Sequence, residues 1–270
     1  MPSEHDNDCL QVRRKDGILW LTMNRPTTLN AIDRILGLEL LKAFHAAERD
    51  DDVRAVVLTG SGRAFCAGDD IAGLKAFLEG DFDHERAAVD PTDKSSLYMR
   101  VAQLMTRCPK PVIAAVNGLS YRAGTELACA ADIRCMARSA AMGSGLVKIA
   151  QLGNAAYLGH VVGPARAFEI FATGRAVGAE EAMAIGLATH MFDDGEFMDG
   201  VAALADVLAN GPTRIIAMQK RLLAASEGRN LDARAMLQEA AHQTCFFETE
   251  DAREGASAFI ENRKPTFTGR

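Results

Sequence analysis

A chain of 270 residues that is 48% hydrophobic holds enough apolar material for one large domain, or for a domain with a smaller appendage. Its 30 basic and 36 acidic residues leave a formal charge of −6, which argues against a nucleic-acid partner and says little about a small ligand. No apolar run approaches the roughly 18 residues of a membrane span, and the start MPSEHDNDCL is polar and acidic, so the expectation is a soluble, unexported, cytoplasmic protein with no membrane partner.

Residues 9–12 and 17–23 look like two strands joined by the charged turn Arg13-Arg14-Lys15-Asp16, and Asn24-Arg25-Pro26 ends the second. From Ile32-Asp33 a helical pattern begins, with Ile35, Leu36, Leu38, Leu40, Leu41, Phe44 and Ala47 as a broad apolar stripe. Residues 53–59 form a buried strand closed by Gly60-Ser61-Gly62. Arg63 to Ile71 then reads as a small-residue turn into a helix whose first turn carries Asp69 and Asp70. Residues 78–96 are polar and patternless, a lid or an insert. Residues 97–108 are helical, 132–136 a strand, 140–154 irregular, and 155–162 and 165–172 helical. Residues 174–178 form a turn into the helix 179–185, and 187–192 a last strand. From about residue 196 the pattern is helical to the end, so a boundary is expected there, separating a core of 1–195 from a helical region of 196–270. The six cysteines are scattered, without a CxxC pair or a histidine at zinc spacing, and read as reduced core or near-core thiols; no metal site is expected.

One stretch organises the rest, from Lys110 to Asp132. It opens with Pro111, continues as the apolar run Val112-Ile113-Ala114-Ala115-Val116, turns at Asn117-Gly118 and becomes a helix carrying Leu127, Ala128, Ala130 and Ala131. At the junction, Ala123-Gly124-Thr125-Glu126 presents unbonded backbone N–H groups at the positive end of a helix, with one carboxylic acid close behind. The stretch around Gly68 is a second junction of the same kind. On neighbouring parallel strands the two would aim their helix starts at one point, an arrangement suited to polarising a carbonyl and moving a proton beside it.

The residues at these junctions resemble the crotonase superfamily, the enoyl-CoA hydratase/isomerase family. The resemblance runs through Asn24-Arg25-Pro26 with Leu29-Asn30-Ala31, Arg63 to Ile71, Lys110 to Gly118, Glu126-Leu127-Ala128 with Asp132-Ile133, Thr173-Gly174-Arg175 with Glu181, and Glu254-Gly255 with Asn262-Arg263-Lys264-Pro265, in family order. It implies an α/β fold, a spiral of ββα units with C-terminal helices used in forming a homotrimer or a hexamer built from two trimers. It implies a lyase of fatty acid β-oxidation acting on an acyl-CoA, with coenzyme A as part of the substrate and no separate cofactor. By motif, the Asp69 and Ala123 amides would hold the thioester oxygen and Glu126 would be the catalytic acid and base. Ligand contacts are implied for Arg25, Ala67, Gly68, Asp69, Asp70, Ile71, Ala72, Ala123, Gly124 and Lys264, with Arg25, Arg63 and Lys264 as the basic rim for the phosphates.

The chain departs from the family twice. Members commonly have three glycines where it has Arg122-Ala123-Gly124; alanine still offers its N–H, whereas the Arg122 side chain must go to solvent, to the ligand carbonyl or to an acyl carboxylate. The family's second catalytic glutamate belongs near Gly145 or Leu146, yet no Asp or Glu occurs from Ile133 to Phe168. Ser139, Ser144, Lys148, Gln151, Asn154, Tyr157 and His160 remain nearby, and Asp83, His84 or Glu85 could supply the group from the lid. The leading expectation is a hydratase-like enzyme. A non-catalytic acyl-CoA-binding homologue, or another family reaction such as hydrolysis, decarboxylation or C–C bond formation, stays open beside it.

Overall fold

The computed structural model describes residues 9–70 and 97–270. The chain opens with a hairpin of β1 (Leu10–Lys15) and β2 (Ile18–Met23), paired antiparallel from Leu10↔Met23 to Lys15↔Ile18. Asp16 and Gly17 make the turn with φ of +52° and +76°, the left-handed twist that a two-residue hairpin needs. Arg13, Arg14 and Lys15, expected in the turn, are therefore paired strand residues, and charge along this edge discourages pairing with another chain. The α1 helix (Arg34–Arg49) starts where Asp33 Oδ1 accepts the Leu36 N–H at 2.8 Å, and buries Leu36, Leu40, Leu41, Phe44 and Ala47.

A six-stranded sheet runs β1-β2-β3-β5-β7-β10, parallel from β2 onward. Its centre is β3 (Ala55–Gly60) and β5 (Val112–Val116), buried at every residue, beside β7 (Ile133–Ala137) and the short β10 (His190–Phe192). Strands covered on both faces need continuous apolar runs, and these two runs were the ones that stood out in the sequence. A second sheet runs β4 (Ala64–Cys66), β6 (Leu119–Tyr121), β8 (Ala141–Gly143) and β9 (Ala176–Gly178). The three inner strands of the first sheet thus each feed a three-residue strand of the second: β3 to β4, β5 to β6, β7 to β8. Three residues are too few to show a period, and all four segments read as turns or irregular chain.

Helix α2 (Leu97–Arg107) packs on α1 and on α3 (Ala123–Ala130), and α3 leads back to β7. A single 3₁₀ turn, Leu146–Ile149, precedes α4 (Ala156–Val162) and α5 (Pro164–Thr173), and α6 (Ala179–Ala184) follows β9. Helix α7 (Phe197–Ala209) lies across the first sheet, burying Phe197, Val201, Ala205 and Ala209. Beyond it come α8 (Thr213–Ser226), α9 (Leu231–Glu248) and α10 (Glu250–Ile260).

Two polar clusters fasten this end of the chain to the start of the central strands. Lys220 Nζ donates to Asp132 Oδ2 and to the Met105 carbonyl, both at 2.8 Å. Arg54, just ahead of β3, donates to Thr213 Oγ1 at 2.7 Å, to the Gly211 carbonyl at 2.5 Å and to the Phe267 carbonyl at 3.2 Å. Among the described residues no single helix is long and apolar enough to cross a membrane. Cys66, Cys108, Cys129 and Cys135 are buried, Cys9 and Cys245 half-buried, and none forms a disulfide.

Candidate active site

The site forms where β3 and β5 end. Asn117, directly after β5, accepts the Gly60 N–H on its Oδ1 at 3.2 Å and donates to the Gly62 carbonyl at 3.0 Å, which joins the two strand ends. Asn30, fully buried, donates to the Ser61 and Ala64 carbonyls at 3.0 and 2.8 Å and accepts the Arg25 N–H at 2.8 Å. These amides lock the loop after β2 onto the β3–β4 turn.

On that base the first junction is laid down as a short parallel bridge. Ala67 N–H donates to the Leu29 carbonyl, Ile32 N–H to the Gly68 carbonyl and Asp70 N–H to the Ile32 carbonyl, at 2.9, 2.8 and 3.0 Å. Backbone groups alternate sides along an extended strand, so with Gly68 and Asp70 facing Ile32, the Asp69 N–H faces the other way. The second junction is the start of α3. Ala123 is its first residue, and an N–H at that position has no partner within the helix.

The two junctions touch. Gly124 must be glycine because a Cβ there would lie 2.1 Å from the Cys66 carbonyl oxygen. At Gly68, with φ +106°, a Cβ would lie 2.6 Å from Arg122 Cβ and 3.2 Å from the Ala123 nitrogen. Gly68 therefore lets the two junctions approach, with no side chain of its own between its backbone and the Ala123 nitrogen. The Cys66 thiol beneath is pushed up to about 12 by burial and is no nucleophile at neutral pH.

Glu126 stands one turn into α3 and is 2% exposed. Its Oε1 accepts the Asn154 N–H at 2.5 Å, the Tyr157 N–H at the start of α4 also donates to the carboxylate, and Oε2 is buried with no partner. Burial raises the pKa of this carboxyl, opposed by the two N–H donors, so it holds a proton to higher pH than an ordinary glutamate. A carboxyl fixed at one oxygen, unpartnered at the other and reluctant to ionise is equipped to take up and return a proton.

Asn154 is the residue whose importance the sequence did not reveal. It had been only one of several polar residues nearby, yet it is fully buried, sits at φ +62° and ties both halves of the site together. Its N–H holds Glu126, its Nδ2 donates to the Arg122 carbonyl at 2.9 Å, and its Oδ1 is unpartnered. The available signal was an asparagine just before a helix, a residue type that tolerates left-handed backbone; nothing in the pattern named its partner.

The other expected residues fall in several places. Arg25 is braced inside the protein: its guanidinium lies 3.1 Å from Asp33 and 3.3 Å from Asp70 and donates to the Ala31 carbonyl at 2.5 Å, which stiffens the Gly68–Asp70 bridge from behind. Arg63 and Lys264 are exposed. The tail carrying Lys264 is fastened to Arg54 at the start of β3, six residues or about 20 Å along an extended strand from the end where Gly68 and Ala123 meet. Lys148 and Gln151 are exposed, and His160 faces outward, 3.2 Å from Glu227. Near the expected second glutamate, Gly145 has φ +63° and a Cβ there would lie 2.9 Å from the Tyr121 ring; no carboxylate occupies the segment. Ile71, Ala72, the helix start after Asp70 and the lid candidates Asp83, His84 and Glu85 lie outside the described residues. Among the described residues no three His, Cys, Asp or Glu side chains gather as a metal site.

Known proteins carry the same pattern along the whole chain. Residues 13–270 match the sequence profile of the family described as enoyl-CoA hydratase/isomerase. A probable enoyl-CoA hydratase of Rhodobacter capsulatus is 37% identical over 258 residues, covering 94% of this chain and 96% of that protein. The 1,2-epoxyphenylacetyl-CoA isomerase of Escherichia coli is 34% identical over 257 residues, covering 94% and 96%. The crystal structure of an enoyl-CoA hydratase from Bacillus anthracis superposes with a TM-score of 0.88 at 26% identity, over 97% of this chain and all of that one. With its paired strand ends, its two touching junctions and its buried glutamate, the chain belongs to the enoyl-CoA hydratase/isomerase family, with the crotonase fold.

Proposed function

We propose that this enzyme adds water across the conjugated double bond of an enoyl-CoA, with Glu126 as its one acid and base and the Asp69 and Ala123 amides as the oxyanion donors. The observation that carries the reading is the Glu126 carboxyl, with Oε1 held by the Asn154 N–H and Oε2 buried and unpartnered, one helical turn from where Gly68 and Ala123 meet. Water attacks Cβ as the Glu126 carboxylate takes its proton; the electron pair of the double bond moves onto the thioester oxygen, where the two amides stabilise the enolate. The protonated carboxyl then gives the same proton to Cα, so one glutamate closes the cycle. Burial, which favours the neutral carboxyl, stabilises it between the two transfers.

The rest of the reading follows the family. Coenzyme A enters as part of the substrate, and no further cofactor is required by this proton chemistry. The C-terminal helices expose Leu223, Leu231, Met236, Phe247, Phe259 and Ile260, each at least 75% exposed in one chain, an apolar surface suited to a homotrimer or to a hexamer built from two of them. Residues 1–195 serve as the acyl-CoA-binding core and 196–270 as the oligomerising region, with Lys264 placed to serve the phosphates of a neighbouring copy's ligand. The working compartment is the cytoplasm and the pathway fatty acid β-oxidation. The test is turnover of crotonyl-CoA and longer enoyl-CoAs, followed by loss of enone absorbance. Glu126→Gln is expected to lower kcat by 10²–10⁴. No turnover at any chain length, or a Gln variant as active as the parent, refutes the assignment, and tight acyl-CoA binding without turnover selects a non-catalytic homologue instead.

A further inference from the structure

We infer that Arg122 is a specificity residue for an acyl group bearing its own carboxylate, so that the preferred substrate is the mono-CoA thioester of an unsaturated dicarboxylic acid; this rests on the hydratase reading above. Arg122 precedes Ala123, and its Cβ and Cδ lie 2.6 and 3.2 Å from where a Gly68 side chain would begin, so its stem borders the place where the two junctions meet. Its backbone is at φ +52°, ψ −121°, a combination that glycine adopts freely and that strains a residue with a side chain. The stem of the side chain is thus held beside Gly68 and Ala123 against a local preference for glycine.

Among the described residues the side chain has no partner to account for it. Its Nε is buried with no acceptor, and no ion pair joins it to Glu126 or to any other carboxylate among the described residues. Arg25 shows the contrast, since Asp33 and Asp70 neutralise it a few residues away in space. A buried N–H donor without an acceptor is costly to leave so, and an acceptor on a bound ligand would satisfy it. The phosphates of coenzyme A are separated from the thioester by the whole pantetheine arm, and the thioester oxygen already has two amides. The acceptor left is one on the acyl chain, and a planar guanidinium matches a carboxylate in a forked, two-bond geometry.

The experiment compares crotonyl-CoA with glutaconyl-CoA, which differ at the far end of the acyl chain by a carboxylate, on the parent and on Arg122→Gly. The parent is expected to favour glutaconyl-CoA in kcat/KM, and the variant to lower the glutaconyl-to-crotonyl ratio by about tenfold to a hundredfold, the worth of a hydrogen bond to a charged group. Arg122→Lys keeps the charge without the fork and is expected to fall between them. Because glycine relieves the backbone, Arg122→Gly is also expected to melt at a higher temperature than the parent. A parent that hydrates crotonyl-CoA without preferring glutaconyl-CoA overturns the inference and leaves the hydratase reading intact. So does a variant that loses both substrates equally, which makes Arg122 a third donor to the thioester oxygen, or one that melts lower, which makes it structural. If neither thioester turns over, the hydratase reading fails, and calorimetric binding of the same two ligands decides the Arg122 question: tighter binding of glutaconyl-CoA to the parent than to Arg122→Gly supports it, and equal binding overturns it.

Discussion

Replacing Asn154 by glycine isolates one bond in the site. Glycine holds φ +62° without cost, and Glu126 keeps its contact because that bond comes from the backbone N–H of residue 154. What disappears is the 2.9 Å bond from Asn154 Nδ2 to the Arg122 carbonyl. That carbonyl belongs to the same planar peptide unit as the Ala123 N–H, so the bond both fixes the plane of an oxyanion donor and polarises it. Glu126 N–H still reaches the carbonyl at 3.1 Å, so no acceptor is stranded and the loss is that of one ordinary hydrogen bond, about 0.5–1.5 kcal/mol. Delivered to the transition state, this lowers kcat by about two- to tenfold, well short of the 10²–10³ for removing an oxyanion donor outright. Asn154→Asp tests the sign. A carboxylate cannot donate to the Arg122 oxygen, and its charge beside Glu126 raises that residue's proton affinity further. Its kcat loss is expected to exceed that of the glycine variant, with the acid limb of the pH–rate profile moved upward. The assay is kcat and KM on crotonyl-CoA across pH for all three proteins. A thousandfold loss in Asn154→Gly, or an Asp variant at least as active as the parent, refutes the reasoning.

The remaining predictions concern the gap and the acid. Gly68→Ala places a Cβ 3.2 Å from the Ala123 nitrogen at φ +106° and is expected to cost 10²–10³ in kcat by closing the space between the donors; adding Arg122→Gly, which removes the 2.6 Å collision, is expected to restore only part of it, and full activity in the single variant counts against the site. Glu126→Gln is also a stability probe. The raised carboxyl pKa means that the folded parent binds more protons than the unfolded chain above the ordinary value of 4.5, so its stability falls as pH rises through the raised value. The Gln variant has no such slope and is expected to gain on the parent as pH rises above the ordinary carboxyl value of 4.5 in denaturant titrations. A stability difference that is flat with pH contradicts the burial argument.

The parts of this protein that were legible in the sequence are those in which a physical demand repeats along the chain. A strand covered on both faces needs an unbroken apolar run, hence β3 and β5; a helix covered on one face needs a stripe, hence α1 and α2. The second sheet has three-residue strands that repeat nothing, and it stayed hidden. Around the candidate site, the helix start at Ala123 and the turn at Gly68 were visible because helix starts and glycine turns leave marks at fixed offsets. Arg25 was legible as a cation near the ligand loops, but its use was not, since Asp33 and Asp70 approach from elsewhere in the chain and turn a proposed phosphate contact into a brace. Asn154 was hidden for the same reason: its partners, Glu126 and Arg122, lie 28 and 32 residues away.

That separation explains how the site tolerates an arginine where its family has glycine. On the proposed reading both oxyanion donors are main-chain N–H groups, so what must be preserved is the path of two backbone segments. The Asp69 segment is held by its bridge to Ile32 and braced by Arg25; the Ala123 segment is held by the start of α3, by the Gly143 carbonyl that accepts the Arg122 N–H at 3.2 Å, and by Asn154. With residue 122 held through its own N–H by Gly143 and through its own carbonyl by Asn154 and Glu126, its strain cannot relax by rotating the following Ala123 N–H out of place. The surrounding hydrogen bonds hold the path, and on the inference drawn above the side chain at 122 is left to choose the substrate.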